Sequence, residues 1–340
     1  MRFGVLDQSP IRSGGTPAQA IRETLELAQV CDRLGYERYW LAEHHSSGGL
    51  ASASPEILIG QVAARTERIR VGSGGVMLSH YSPLKVAEQF RMLEALFPGR
   101  IDLGVGRAPG SDGRTAQALQ QGPGALGLES YPDQLLDLYS FLSNDFPEGH
   151  PFTGIRAMPE GPTMPELWLL GSSRDGAAYA SGLGWPFCFA HFISPEGNEQ
   201  LIRRYRQKFE PSPWCPEPRA SMGVSVTVAE THEEAEYLSW SRWVSRVGAN
   251  RGQRRGVLPP EEAMKLDFTE PELDYIAHLR RRSIYGSPSE VRDRLEELSA
   301  EYDVDEFIVV TITYDFAKRV RSYELLAEEF GITALPKGPG

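Results

Sequence analysis

An α/β fold built on a buried parallel sheet is what this sequence predicts, and three observations carry it. Short apolar runs rich in Val, Ile and Leu recur along the chain. A helix-length segment separates each run from the next, and no two runs are joined by a two-residue turn. The 340 residues are 41% apolar, enough to bury one large core; length alone permits one domain or two, and the number of strands favours a single domain over residues 1–340.

The first run, residues 3–7, leads through a polar loop to Thr16-Pro17-Ala18-Gln19, which reads as a capping box with Pro at the first helical position. Ile21, Leu25, Ala28 and Cys31 keep helical spacing to about Leu34, where Gly35 stops the helix before a strand at 39–42. Ser54-Pro55-Glu56 opens a helix leading to a strand at 69–77. Ser82-Pro83 opens another, which Pro98-Gly99 ends before a strand at 101–105. Further strands are predicted at 167–170, 186–190, 222–228 and 307–312. Helices are predicted to begin near Ser173, Ser194, Thr231 and Ser287, with Glu234 and Glu290 completing capping boxes at the last two. Eight such units closed on themselves form a TIM (β/α)8 barrel; a doubly wound open sheet is the competing arrangement. Two connections exceed ordinary loop length, giving insertions after strands 4 and 7. Residues 110–165 include a predicted helix near 133–143. Residues 248–285 carry Arg251, Arg254, Arg255, Arg280, Arg281 and Arg282 with little apolar periodicity, and read as a candidate mobile lid or a variable surface excursion.

The net charge of -11 argues against a protein that tracks a nucleic-acid backbone, which needs a clustered basic face. Cys31, Cys188 and Cys215 match neither a metal knuckle nor a secreted disulfide framework, so reduced thiols in the cytoplasm are expected. The apolar run at residues 3–6 is too short for a signal peptide, and no later run approaches a membrane span.

In such a barrel the chemistry sits at the carboxyl ends of the strands. The second strand ends in Trp40-Leu41-Ala42-Glu43-His44-His45, where strand alternation puts Trp40, Ala42 and His44 on one face. Consecutive side chains diverge and do not readily close a coordination sphere, so no metal is expected. His44 is the acid/base candidate because imidazole titrates near neutral pH; Glu43 and His45 read as its support. Gly104-Val105-Gly106-Arg107-Ala108-Pro109-Gly110 fails as a dinucleotide fingerprint, since its third glycine is late and Pro109 breaks the required helix. What remains is an arginine among small residues, suited to a phosphate or to an ordinary surface salt bridge. Gly171-Ser172-Ser173 precedes a helix, so Ser173 is either an N-cap or part of a phosphate seat. Gly72, Gly74 and Gly75 lie inside a strand, where glycine marks the close approach of a ligand or of backbone.

Taken together these segments resemble the luciferase-like flavin monooxygenases, the family of the bacterial luciferase subunits. The resemblance runs through Met1-Arg2-Phe3-Gly4, the Trp40–His45 stretch, Val71-Gly72-Ser73-Gly74-Gly75-Val76-Met77-Leu78, Gly99-Arg100-Ile101-Asp102-Leu103-Gly104-Val105-Gly106-Arg107 and Gly286-Ser287-Pro288-Ser289-Glu290. It implies a TIM barrel, usually dimeric, that binds FMN or a deazaflavin at the carboxyl ends of its strands. Gly74, Gly75, Met77, Arg107, Gly171, Ser172, Ser173 and Gly176 are then the implied cofactor-binding residues, with a cis peptide at Gly74-Gly75 and phosphate contacts at Arg107 and Ser173. His44 matches a histidine implicated in luciferase chemistry. Gly106 stands where luciferase has a reactive cysteine, a departure that points away from long-lived light emission and not from flavin binding. The implied reaction uses reduced FMN from a separate reductase, O2 and a small organic substrate. An F420-dependent hydride transfer, or a non-catalytic flavin-binding partner subunit, is the alternative.

Overall fold

The computed structural model describes residues 1–108, 110–120, 128–194, 198–253 and 255–334; Pro109, residues 121–127 of the first insertion and Arg254 lie outside them. In chain order the elements are β1 (Arg2–Asp7), α1 (Pro17–Leu34), β2 (Arg38–Leu41), α2 (Pro55–Ala63), β3 (Arg70–Met77), α3 (Pro83–Leu96), β4 (Ile101–Gly106), α4 (Gly113–Leu119) and α5 (Tyr131–Ser143). Then follow β5 (Glu166–Gly171), α6 (Arg174–Leu183), β6 (Phe187–Ala190), α7 (Leu201–Gln207), β7 (Ala220–Val228), α8 (His232–Asn250), α9 (Pro260–Ala263) and α10 (Glu270–Arg282). The chain closes with β8 (Ile284–Gly286), α11 (Pro288–Tyr302), β9 (Glu306–Val310) and α12 (Phe316–Phe330).

Strands β1 to β7 pair in succession, β9 pairs with both β7 and β1, and every one of these pairings is parallel. This is the closed eight-stranded TIM barrel. Strand β8 stays outside the ring: its three residues pair only with Val226–Val228 at the end of β7. The sequence did not predict it, because Ile284-Tyr285-Gly286 is shorter than any periodicity can mark.

Alternation along each strand sorts side chains into two layers. Phe3, Val5, Tyr39 and Leu41 point outward into the large core shared with the helices, while Leu6, Trp40, Trp168 and Ile308 fill the barrel interior. Trp40 and Trp168 meet edge to face with centroids 5.3 Å apart. Below them, at the amino end, lies a charged plug. Arg38 bonds Asp102 at 2.8 Å, Glu306 at 2.5 Å and Glu166 at 3.1 Å, with its guanidinium 4.8 Å from the Trp168 ring. Arg70 and Arg219 add pairs to Asp102 and Glu166, and the Trp40 indole donates to Asp102 at 2.8 Å.

Three local expectations are corrected. The helix expected near Ser194 begins at Leu201, and the Asn198 amide donates to the Ser194 carbonyl and hydroxyl ahead of it. At Thr16 and Thr231 only half of each capping box forms. The threonine hydroxyls accept from Gln19 and Glu234 backbone N–H groups, but the Gln19 amide turns to Glu23 and the Glu234 carboxylate to Lys318. Ser287 and Glu290 form the full reciprocal box. Residues 248–285 hold α9, α10 and β8, and bury Val257, Ala263 and Ile276.

Candidate active site

The eight residues singled out for a cofactor line one cavity of about 300 Å³ at the carboxyl ends of β3 to β6. Its walls are Leu6, Trp40, Leu170, Phe192, Ile193 and Ile308, and its polar edge carries Arg107, Ser172, Ser173 and Tyr131. Along one side the lining is backbone. The Gly74-Gly75 peptide is cis. A Cβ on Gly75 would stand 2.7 Å from the Gly104 carbonyl oxygen, and one on Gly74 would stand 2.6 Å from Leu6 Cδ1, so neither site accepts a side chain unaltered.

Next along the strand, the Met77 N–H is held by Glu43 Oε2 at 2.9 Å. Glu43 Oε1 receives the Tyr81 hydroxyl at 2.6 Å and lies 2.6 Å from His45 Nε2. Glu43 and His45 therefore brace the strand that supplies Gly74, Gly75 and Met77. At the opposite edge, Ser173 caps α6 by accepting from the Gly176 N–H at 3.4 Å. Arg107 reaches Asp175 at 3.3 Å with 44% of its side chain exposed, so the pair is weak and the guanidinium is free to exchange partners. The two plain readings, N-cap and surface salt bridge, are both realised, and together they also place a guanidinium beside a helix N-terminus.

The luciferase-like monooxygenase family model matches residues 1–305 of the chain. The chain belongs to this family. Among the similar proteins, the N-acetyl-S-alkylcysteine monooxygenase of Bacillus subtilis (strain 168) is 38% identical over 96% of this luciferase-like monooxygenase and 98% of its own length. The crystal structure of apo-MsnO8 has 39% identity and a TM-score of 0.87, covering 98% of each chain. The oxygenating constituent of 3,6-diketocamphane monooxygenase from Pseudomonas putida, solved with FMN, shares the fold at a TM-score of 0.73 and 19% identity, over 99% and 100% of the two chains.

Whether the cavity of this luciferase-like monooxygenase suits a phosphorylated flat cofactor can be tested on Tyr131, a residue that the sequence did not single out. Its ring lines the cavity, its hydroxyl is buried, and that hydroxyl has no hydrogen-bond partner among the described residues. Burial pushes its pKa well up, so it is a neutral O–H donor waiting for an acceptor. An apolar slot with an unsatisfied donor, an arginine and a helix N-terminus along one edge fits the ring and phosphate of a flavin nucleotide. Cys188 also lines the slot; burial pushes its thiol up to about 12, so it is an apolar wall and not a nucleophile.

His44 is the predicted site residue that the cavity wall does not include. Its N–H donates to the Ser52 carbonyl at 2.8 Å, and its ring Nδ1 is buried with no partner. Burial, then the charges of Arg246 and His45, draw its pKa down to about 4, so the ring is neutral at pH 7. The unfolded imidazole gains its proton near pH 6.5 and the folded one only near 4. Its contribution to stability is thus complete above about pH 6.5 and is lost as pH falls toward 4, by on the order of 3 kcal/mol. Urea unfolding from pH 7 to 4 is expected to show a shallower loss of stability in His44→Gln than in the parent. Equal slopes would mean that the ring is not buried neutral. No three His, Cys, Asp or Glu side chains among the described residues are placed to hold a metal ion.

Proposed function

We propose that this chain is an FMN-dependent monooxygenase that uses reduced flavin from a separate reductase and O2 to oxygenate a small organic substrate. The observation that carries the reading is the buried, partnerless Tyr131 hydroxyl in the same slot as Arg107 and Ser173. Gly74, Gly75, Met77, Gly171, Ser172 and Gly176 would hold the ring and its side chain, with Arg107, Ser173 and Tyr131 at the phosphate end. When bound, reduced flavin supplies the two electrons that divide O2 between substrate and water. The chain's own groups orient it and keep water out: Trp40, Leu170, Phe192 and Ile308 supply the apolar walls. His44, neutral and buried beyond that wall, is the base or hydrogen-bond partner at the substrate side, and residues 248–285 serve as the lid.

The FMN held by the diketocamphane enzyme and the small sulfur-containing substrate named for the 38% identical relative support this reading. Ile57 on α2 and Met92 and Leu96 on α3 are large, exposed and apolar, which supports a homodimer; the location proposed for it is the cytoplasm. No helix among the described residues is long and apolar enough to cross a membrane. The deciding experiment mixes protein-bound reduced FMN with O2 in stopped flow, with N-acetyl-S-benzylcysteine as the first substrate. A transient absorbance distinct from reduced and oxidised FMN, followed by oxygenated product, is expected from a protein sedimenting as a dimer. Tight F420 binding with no FMN binding would replace the reading with hydride transfer, and FMN binding with no oxygen chemistry would leave a flavin-binding partner subunit.

A further inference from the structure

At the amino end of the barrel, against the charged plug, lies a second cavity of about 250 Å³ that shares no lining residue with the cofactor slot. Arg70 at the start of β3, Glu166 at the start of β5 and Arg219 just ahead of β7 bound it on the plug side. Tyr139 of α5, Trp185 ahead of β6 and Trp214 give it aromatic walls, and the Tyr139 and Trp185 ring centroids are 6.3 Å apart. Trp214 stands at the tip of a tight turn. Ser212 and Cys215 exchange backbone hydrogen bonds at 3.1 and 3.2 Å, and the Ser212 hydroxyl ties that turn to the Gly184 carbonyl at 2.9 Å. A large apolar ring is thus held at the cavity by a braced turn while 55% of it stays exposed.

The guanidinium groups on this cavity are already committed. Arg70 donates to Asp102 at 2.7 Å and to the Ile101 carbonyl at 3.0 Å, and Arg219 donates to Glu166 at 3.0 Å. Two buried groups on the same cavity are not. Glu94, near the end of α3, is 2% exposed; its Oε1 accepts the Gly99 N–H at 2.8 Å, and its Oε2 is buried with no partner among the described residues. Trp185 is also 2% exposed, and its indole N–H has no partner among them either. Buried polar groups are ordinarily satisfied, so an open acceptor and an open donor on one cavity call for a ligand that answers both.

We propose that this cavity is a second small-molecule site, which takes an uncharged aromatic carboxamide with its N–H group on Glu94 and its carbonyl on the Trp185 indole. The chemistry of the two open groups selects that class. A carboxylate or phosphate brings no donor for Glu94 and meets its like charge, and an ammonium group brings no acceptor for the indole. A carboxamide carries donor and acceptor in one planar group, and a flat ring attached to it suits walls made of Tyr139, Trp185 and Trp214. Nothing in this site draws on the flavin reading, since it lies at the end of the barrel opposite to the slot.

The test titrates nicotinamide, nicotinate and the corresponding methyl ketone into the full-length protein, followed on the assigned indole N–H resonances of its six tryptophans. Nicotinamide should shift the Trp185 resonance saturably in the millimolar range. It should bind at least about tenfold more tightly than nicotinate, which Glu94 repels, or the ketone, which offers no donor. Saturating FMN should not displace it. Glu94→Gln can keep the Gly99 contact through its amide oxygen but turns the open acceptor into a donor, so it should weaken nicotinamide at least about tenfold and reverse the preference toward nicotinate. Trp214→Ala, at an exposed turn tip, should also weaken nicotinamide, and it decides the question if Glu94→Gln does not fold. No saturable shift of Trp185 in the millimolar range, equal binding of amide and acid, displacement by FMN, or a nicotinamide affinity that either folded variant leaves unchanged each overturns the site.

Discussion

Alanine in place of Arg107 is expected to weaken FMN binding by about 1.5–3 kcal/mol, roughly ten- to a hundredfold, without lowering the stability of the flavin-free protein. The asymmetry follows from geometry. In the free protein Arg107 meets only Asp175, at 3.3 Å and with both side chains well exposed, so little folding free energy depends on it. A phosphate seated between Arg107, the α6 N-terminus and the Tyr131 hydroxyl would be partly desolvated, and the same guanidinium would then carry a charge-assisted bond. Asp175 competes for that guanidinium, so Asp175→Asn should shift FMN affinity the other way. Fluorescence quenching titrations of the two variants read both changes, and unaltered affinity in Arg107→Ala removes it from the phosphate site.

Arg38→Met is expected to destabilise the fold by about 3–5 kcal/mol, because it leaves Asp102 and Glu306 buried without their main counter-charge. The denaturant midpoint should fall with little change in slope. Arg38 sits at the amino end of the barrel, so flavin affinity of the folded fraction should stay at the parent value. The plug also sets an acid limit. Burial alone would raise the Glu166 carboxyl, but Arg38, Arg70 and Arg219 outweigh it and hold it down to about 2. Its contribution is therefore intact above about pH 4.5 and lost as pH drops toward 2. Without Arg38 that carboxyl rises, so acid unfolding should begin at higher pH in Arg38→Met. Stability equal to that of the parent would mean that Arg70 and Arg219 suffice to neutralise the cluster.

The eight barrel strands were legible because each is buried on both faces, which forces an unbroken apolar run between helix signals. Elements that bury little leave no such trace. Helix α4 has no buried residue, and α10 buries only Ile276, so neither carries an apolar stripe. The one local mark of α10 is the Thr269–Glu272 capping box at its start. Strand β8 is fixed by the end of β7 and not by its own three residues. Within the site, the glycines and Arg107 could be found because their residue types are unusual where they stand. Tyr131 could not, since an aromatic residue at a helix start looks like packing until its hydroxyl is seen to lack a partner.

The backbone wall of the slot also limits how this protein can diversify. Gly74 and Gly75 in that wall, and Gly72 and Gly104 in the strands behind it, meet neighbouring atoms at 2.2–2.7 Å as soon as a Cβ is added, so no substitution there can reshape the pocket without moving neighbouring atoms. Changes of specificity are thereby directed to the facing side, to residues such as Phe192, Ile193 and Tyr179. A mutagenesis library that spares the four glycines and randomises that far side would search almost all the accessible variation while holding the cofactor's bed constant.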